Sequence, residues 1–315
     1  MISAPELLVK YIRDGLVEQA HFGFVLVFDK THIIDRNGEP NNYPFYLRSC
    51  AKPLQASLII DYGMDIKYNM TEEEIALCCA SHAGEKIHVE TAVNLLKKIE
   101  LDESYLQCGL HKPISKTEQE RLLLEGRKEN IFQNNCVGKH IMMLALCKMN
   151  NWDLASYEDA QHPLQLAIKK RISELCELKK EYPVTKDGCG VPIMSMPLEN
   201  MAKGYLNLFC NSRYEKIKRA FLNCPYIIGG ENRLDTKVIE NSGKLIAKVG
   251  AGGLCIVVNT ETEEALVVKI CDCDMKAREL VVLDSLKNLH WANIEADHSI
   301  KTLHDEQVGE IVTCL

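Results

Sequence analysis

No stretch of this chain approaches the run of about 18 uninterrupted apolar residues that a membrane-spanning helix needs, so insertion into a bilayer is not expected. The opening residues, MISAPELLVKYIRDG, carry a charge every few positions. They have neither an apolar segment nor a small-residue cleavage site, and they do not read as a secretion signal. A basic stripe is missing too: the formal net charge is -7, which argues against a nucleic-acid partner. Lys-rich pieces such as IKKR at 168–171 read as solvated helix faces. There is no internal repeat, low-complexity tract or clear linker. Together these absences predict a cytoplasmic protein organised as one unit over residues 1–315.

The chain has 14 cysteines among 315 residues. In a reducing compartment they are thiols used as small core residues or metal ligands, not bridges. Cys78, Cys79, Cys147 and Cys176 lie in apolar helical contexts and read as core. Cys271 and Cys273 form a C-x-C after a strand, where a metal is one reading and packing the favoured one. With 46% hydrophobic and 26% charged residues, the composition is that of an ordinary globular protein with a sizeable core.

Strand signals come first. HFGFVLVFDK (21–30) is rich in Phe and Val, and DRNGEP (35–40) carries an Asn-Gly hairpin signal. Pro53 belongs in the first turn of a helix starting near 50–53, which puts Ser49 in the turn before it. TEEEIALCCASHAGE opens with a capping box, Thr71 with Glu74, and its helix should end near Cys79 or Ala80. Helices are also expected over 88–100, 139–149, 162–178, 213–222 and 276–289. Thr117 with Glu120 is a further candidate cap, and 182–200 reads as loop. LIAKVGAGGLCIVVN and ALVVKICD (245–259, 265–272) read as strands around a turn at 260–264. The expectation is a mixed α and β fold. Its sheet draws on about 15–50 and 225–290, flanked by helices, with a helical subdomain over about 51–224.

The chemistry begins with RSCAKPLQ at 48–55. Ser49 and Lys52 stand three apart, on one face of a helical turn. A serine hydroxyl needs an adjacent base, and a lysine serves only when burial or a nearby cation keeps it neutral. Alone, the spacing is more often a capping serine beside a solvated lysine. Two further pieces weigh against that. ASHAGE places Ser81 and His82 at a helix-to-loop corner, and KVGAGG places Lys248 on a strand followed by glycines that let the backbone approach a ligand. The order S-x-x-K, second serine, K-x-G matches in part the layout of serine penicillin-binding proteins and β-lactamases.

RSCAKPLQA, CCASHAGE, NNCVGKHIMML, HPLQ, TKDGCGVP and KVGAGG, in that order over about residues 20–290, resemble the bacterial L-asparaginase II family, the Rhizobium-type (type 3) asparaginases. The resemblance implies a β-lactamase/glutaminase-like fold and hydrolysis of L-asparagine to L-aspartate and ammonia. It implies two Ser–Lys pairs, Ser49 with Lys52 and Ser81 with Lys248. Ser49 is then the favoured acyl-forming nucleophile, Lys52 its base, and Ser81 the alternative nucleophile. It also implies zinc (Zn2+) held by Cys136, Lys139 and Cys189. Chemistry alone would nominate His140 as the third ligand, since a lysine must first lose its proton. Arg48 is a candidate for the substrate carboxylate and Asp187 for its ammonium or for orienting a zinc ligand. His82 and His140 are candidate hydrogen-bonding residues, with Arg233 and Asp235 behind them. Each of these could equally be structural. Gly252 departs from the family's usual acidic residue in GAEG, which leaves substrate preference open. A homodimer is expected by analogy.

The alternatives are a Ser–Lys hydrolase of another amide, glutamine or penicillin-type, and a non-enzymatic zinc or thiol module. Penicillin recognition would want an exported protein and an S-x-N motif.

Overall fold

A computed structural model describes residues 4–40 and 43–315. Residues 1–3, within the stretch read for a leader, and Asn41–Asn42, within the segment leading to Ser49, lie outside the described residues.

Eight strands form one antiparallel sheet drawn from both ends of the chain. They are β1 (Glu6–Arg13), β2 (Leu16–Phe28) and β3 (Ile33–Asn37) near the start. Late in the chain come β7 (Leu245–Gly250), β8 (Leu254–Asn259), β9 (Glu264–Ile270), β10 (Ser299–Lys301) and β11 (Gln307–Thr313). The strand order is β10-β11-β1-β2-β9-β8-β7, with β3 paired to β2. A second sheet of three short strands, β4 (Phe45–Tyr46), β6 (Pro192–Met196) and β5 (Val184–Lys186), supports the segment before Ser49. The helix Leu198–Phe209 packs on β8 and β9 from one side and Met275–Asn288 from the other. Every residue of β7 and β8 is buried, and apart from Lys248 and the terminal Gly250 and Asn259 their sequences are apolar without alternation.

Several expectations are corrected here. The sheet begins at Glu6 and takes in β10 and β11, while residues 225–240 are helical (Pro225–Ile228 and Leu234–Glu240). Asn37-Gly38 is not the hairpin turn. That turn is Asp29–His32, where the Asp29 carboxylate accepts from the Thr31 and His32 amides at 2.6 and 2.8 Å. The 245–259 segment breaks into two strands at Gly252 and Gly253, whose φ angles are 77° and 72°. Ser115, not Thr117, caps its helix and accepts from the Glu118 amide at 3.2 Å. The stretch 182–200 contains β5 and β6. The Thr71–Glu74 capping box, the end of that helix at Cys79 and the buried helix Val137–Asn150 appear where the sequence places them.

Two glycines set how closely the helical part meets the rest. A Cβ on Gly138 would fall 2.1 Å from the Leu77 carbonyl oxygen, so the helix carrying Lys139 lies directly on the end of the helix leading to Ser81. A Cβ on Gly250 would fall 3.0 Å from the Cys50 sulfur, so β7 lies against the turn that holds Ser49. Gly138→Ala should destabilise the protein by about 3 kcal/mol, because backbone cannot yield as a side chain does. A urea midpoint unchanged from the parent would show that the two helices can part without cost.

Candidate active site

The short helical turn Arg48–Cys50 runs directly into the helix Ala51–Asp61, which carries Lys52 in its first turn with Pro53 beside it. Lys52 is 1% exposed. Its amine lies 2.6 Å from the Ala80 carbonyl oxygen, 2.9 Å from that of Asn135 and 3.0 Å from the Ser81 hydroxyl. Those three partners use every direction a tetrahedral nitrogen has beyond its own carbon. The amine donates to both carbonyls and shares its third hydrogen bond with the Ser81 hydroxyl. Burial first, then the charges of Lys248 and Lys139, push this amine below the ordinary lysine value, against the pull of Cys136.

Ser81 follows the helix Glu72–Cys79, which stops because Ala80 turns extended, and the Ser81 amide is anchored to the Ile228 carbonyl at 3.1 Å. On its other side the Ser81 hydroxyl accepts from Lys248, also at 3.0 Å. Lys248 is fully buried on β7, donates to the Val249 carbonyl at 3.0 Å and pairs with the equally buried Asp235 carboxylate at 3.4 Å. Its partners, a carboxylate among them, are those of an ammonium.

The structure therefore keeps Ser81 with Lys248 and redraws the other pair. One serine, Ser81, sits between both lysines. Ser49 is half-buried, and no hydrogen bond joins it to Lys52 among the described residues. Arg48 and Asp187, each expected to hold one end of a substrate, hold one another at 2.8 Å. Burial lifts the Asp187 carboxyl, but Lys139, the Gly188 amide and Arg48 outweigh it and keep it below the usual range.

His82 is fully buried next to Ser81. Its Nδ1 accepts from the Gly84 amide at 3.1 Å, so the proton of the neutral ring is assigned to Nε2, which has no partner. Burial, then the charges of His88, Lys52 and His111, hold its basicity well below normal. The ring stacks on His88 at 4.8 Å, and His88 is tied to the Tyr226 carbonyl at 3.0 Å. His140 does not approach the thiols as a ligand through Nδ1, which faces the Tyr157 hydroxyl at 2.7 Å; its Nε2 is buried and unpartnered.

Cys136, Lys139 and Cys189 do converge. The Lys139 amine lies 2.9 Å from the Cys189 sulfur, and the Cys136 thiol donates to the Asn135 side-chain oxygen at 3.2 Å. The influence of Cys189, then of Lys52 and Lys139, keeps the Cys136 thiol well below its ordinary value despite burial, while Cys189 is pushed up. Burial pulls Lys139 down, but the two sulfurs reverse the shift. Among the described residues no three His, Cys, Asp or Glu side chains cluster as a metal site. Two thiols and an amine in one buried neighbourhood nevertheless fit a thiophilic cation such as zinc. Cys271 and Cys273 are exposed, not packed, and no third ligand joins them among the described residues. No helix among the described residues is long and apolar enough to cross a membrane.

Comparison with known proteins gives one family match: the profile described as L-asparaginase II fits residues 9–312. No curated protein matches the chain. Among solved structures, a β-lactamase from Mycobacterium bovis is similar with a TM-score of 0.44 at 11% identity, covering 85% of this chain and 95% of that one. A class C β-lactamase is similar with a TM-score of 0.43 at 15% identity, covering 84% and 91%.

The Lys248–Asp235 pair gives a stability test. Asp235→Ala should cost about 3–5 kcal/mol by leaving a buried ammonium uncompensated. The double variant Asp235→Leu, Lys248→Met should recover much of that loss in chemical denaturation. Equal losses in the two would mean that the pair carries no charge.

Proposed function

The chain belongs to the L-asparaginase II family, and from that membership we propose that this amidohydrolase converts L-asparagine to L-aspartate and ammonia through an acyl-serine. The observation that carries the reading is the buried row Lys52–Ser81–Lys248, with 3.0 Å on either side of the hydroxyl.

Lys52, neutral, takes the Ser81 proton as the hydroxyl oxygen attacks the side-chain amide carbon. Lys248, cationic and held by Asp235, donates to the oxygen that is losing its proton and stabilises the developing charge. The unpartnered Nε2–H of His82 is available to the amide oxygen of a bound substrate. The tetrahedral adduct collapses when Lys52, now an ammonium, returns its proton to the leaving nitrogen, so ammonia departs and an ester to serine remains. Water then attacks the ester with Lys52 again as base, which releases aspartate and restores the hydroxyl.

Cys136, Lys139 and Cys189 would hold the zinc. When bound it would hold both sulfurs as thiolates and tie together the two chain segments that carry them. Without it, those three side chains still fix the turn at 135–139 against the loop 187–190, and so position the Asn135 carbonyl on Lys52.

One observation favours a second nucleophile: Ser81 is only 3% exposed whereas Ser49 is half-buried. If substrate reaches Ser49 first, Ser81 relays protons between the lysines. Mass spectrometry of the quenched enzyme separates the two, because the acyl adduct maps to one peptide or the other. Ser81→Ala is expected to abolish the adduct. An adduct that persists there and vanishes in Ser49→Ala would transfer the role. Lys52→Met should lower kcat/KM for asparagine by about 10²–10⁴, and glutamine and β-aspartyl peptides run alongside test the substrate. Ammonia release at the parent rate in that variant would remove Lys52 as base.

For the metal, Cys189→Ser should reduce bound zinc, measured by elemental analysis, and lower the thermal midpoint. A metal content equal to the parent's would refute the assigned ligands.

A further inference from the structure

Arg278 presents an unusual burial. It is 7% exposed, inside the helix Met275–Asn288, and no carboxylate pairs with it among the described residues. Its one hydrogen bond goes from Nη1 to the Gly250 carbonyl at 3.1 Å, and its Nε is buried without a partner. Arg233 repeats the pattern: its Nε is also buried and unpartnered, and no ion pair engages it among the described residues. Both line the same open cleft, about 440 Å³ in volume, together with Val249 and Lys276. A guanidinium is charged at any physiological pH, and leaving Arg278 buried without a counter-ion, with the partly exposed Arg233 beside it, is costly. The carboxylates on the rim do not supply one. Asp274 accepts from the Ala277 amide at 2.7 Å, and Glu279 faces Lys237 at 3.6 Å.

We propose that the cleft between Arg233 and Arg278 is a binding site for a small carboxylate. Three cationic and two anionic side chains line it, a surplus of one positive charge, which suits a singly charged planar anion better than a phosphate dianion. The cleft is one peptide away from the reactive row: Val249 lines it, and the Val249 carbonyl accepts from Lys248 at 3.0 Å. Arg48, the arginine beside Ser49, is already neutralised by Asp187. Resting on the reading of the site as an asparagine hydrolase, the structure leaves Arg233 and Arg278 to take the α-carboxylate of the substrate. The same chemistry would hold an acidic effector, and the test separates the two.

The full-length protein and its Arg233→Gln, Arg278→Gln and Arg278→Lys variants are titrated calorimetrically with L-aspartate, acetate and inorganic phosphate. KM is measured for asparagine and for β-alaninamide, which lacks the α-carboxylate. L-Aspartate affinity should fall at least tenfold in Arg233→Gln and Arg278→Gln and partly recover in Arg278→Lys. If the carboxylate is the substrate's, KM for asparagine rises by a similar factor while β-alaninamide is unaffected. If it belongs to a separate effector, aspartate binding is lost with KM for asparagine unchanged, and the site stands. Arg233 is half-exposed, so its variant carries the test if Arg278→Gln does not fold. Aspartate binding and asparagine KM within twofold of the parent in both Arg233→Gln and Arg278→Lys overturn the proposal, as does a parent protein that binds no carboxylate. Intact aspartate binding without any asparagine turnover would end the functional reading and leave this site in place.

Discussion

Two buried lysine amines share one serine hydroxyl, and the rest of the architecture follows from the cost of that arrangement. Two ammonium groups flanking a single oxygen repel, and in a low-dielectric interior the repulsion is little screened. The protein resolves this by unequal company. Lys248 is given the carboxylate of Asp235. Lys52 is given the carbonyls of Ala80 and Asn135 and the Ser81 hydroxyl, and burial with the charges of Lys248 and Lys139 weakens its hold on a proton. Two amines on one hydroxyl thus differ through burial and the company each keeps.

That choice requires segments distant in sequence to meet at hydrogen-bond distance, which explains the construction around them. Lys52 comes from the start of a helix, Ser81 from the end of another, Asn135 from the turn before a third and Lys248 from a strand near the far end of the chain. The sheet, closed by strands from both termini, fixes β7. The helical part can reach it only because Gly138 and Gly250 let backbone touch backbone and sulfur. Apolar helix faces alone would hold these elements near the usual 8–10 Å axis separation. The glycines bring them closer where the chemistry sits.

Much of this was legible in the chain. The capping box at Thr71 and Glu74 fixes a helix start by local hydrogen bonds, and Pro53 does the same for the helix of Lys52, so Ser49 and Ser81 could both be placed at helix boundaries before any tertiary information. The segments 245–259 and 265–272 were legible as strands around a turn at 260–264. What could not be read was partner choice. Ser49 and Lys52 are neighbours in sequence, yet Lys52 turns toward Ser81, because the contest is settled by carbonyls of Ala80 and Asn135 that carry no side-chain signature. Arg48 and Asp187 looked like substrate ligands because each is charged and next to a reactive residue; only the fold shows that they satisfy each other. Arg278 had no local signal at all, since an arginine within an amphipathic helix is ordinarily solvated, and its burial depends on where β7 and Gly250 lie.

The thiols around the site follow the same logic of company. Cys50 and Cys79 adjoin the reactive row, and a thiol is by nature more acidic than a serine hydroxyl, so a base placed here should meet a competitor. Burial pushes both up to about 12, against the charges of the lysines; the Cys50 sulfhydryl donates to the Lys248 carbonyl at 3.2 Å. Cys136, under the influence of Cys189, Lys52 and Lys139, goes the other way. Proton affinity is thus divided among sulfurs in one neighbourhood by burial and by the contacts each makes. The sulfurs near Lys248 hold their protons more tightly, while Cys136, beside Lys52 and Lys139, holds its own less tightly.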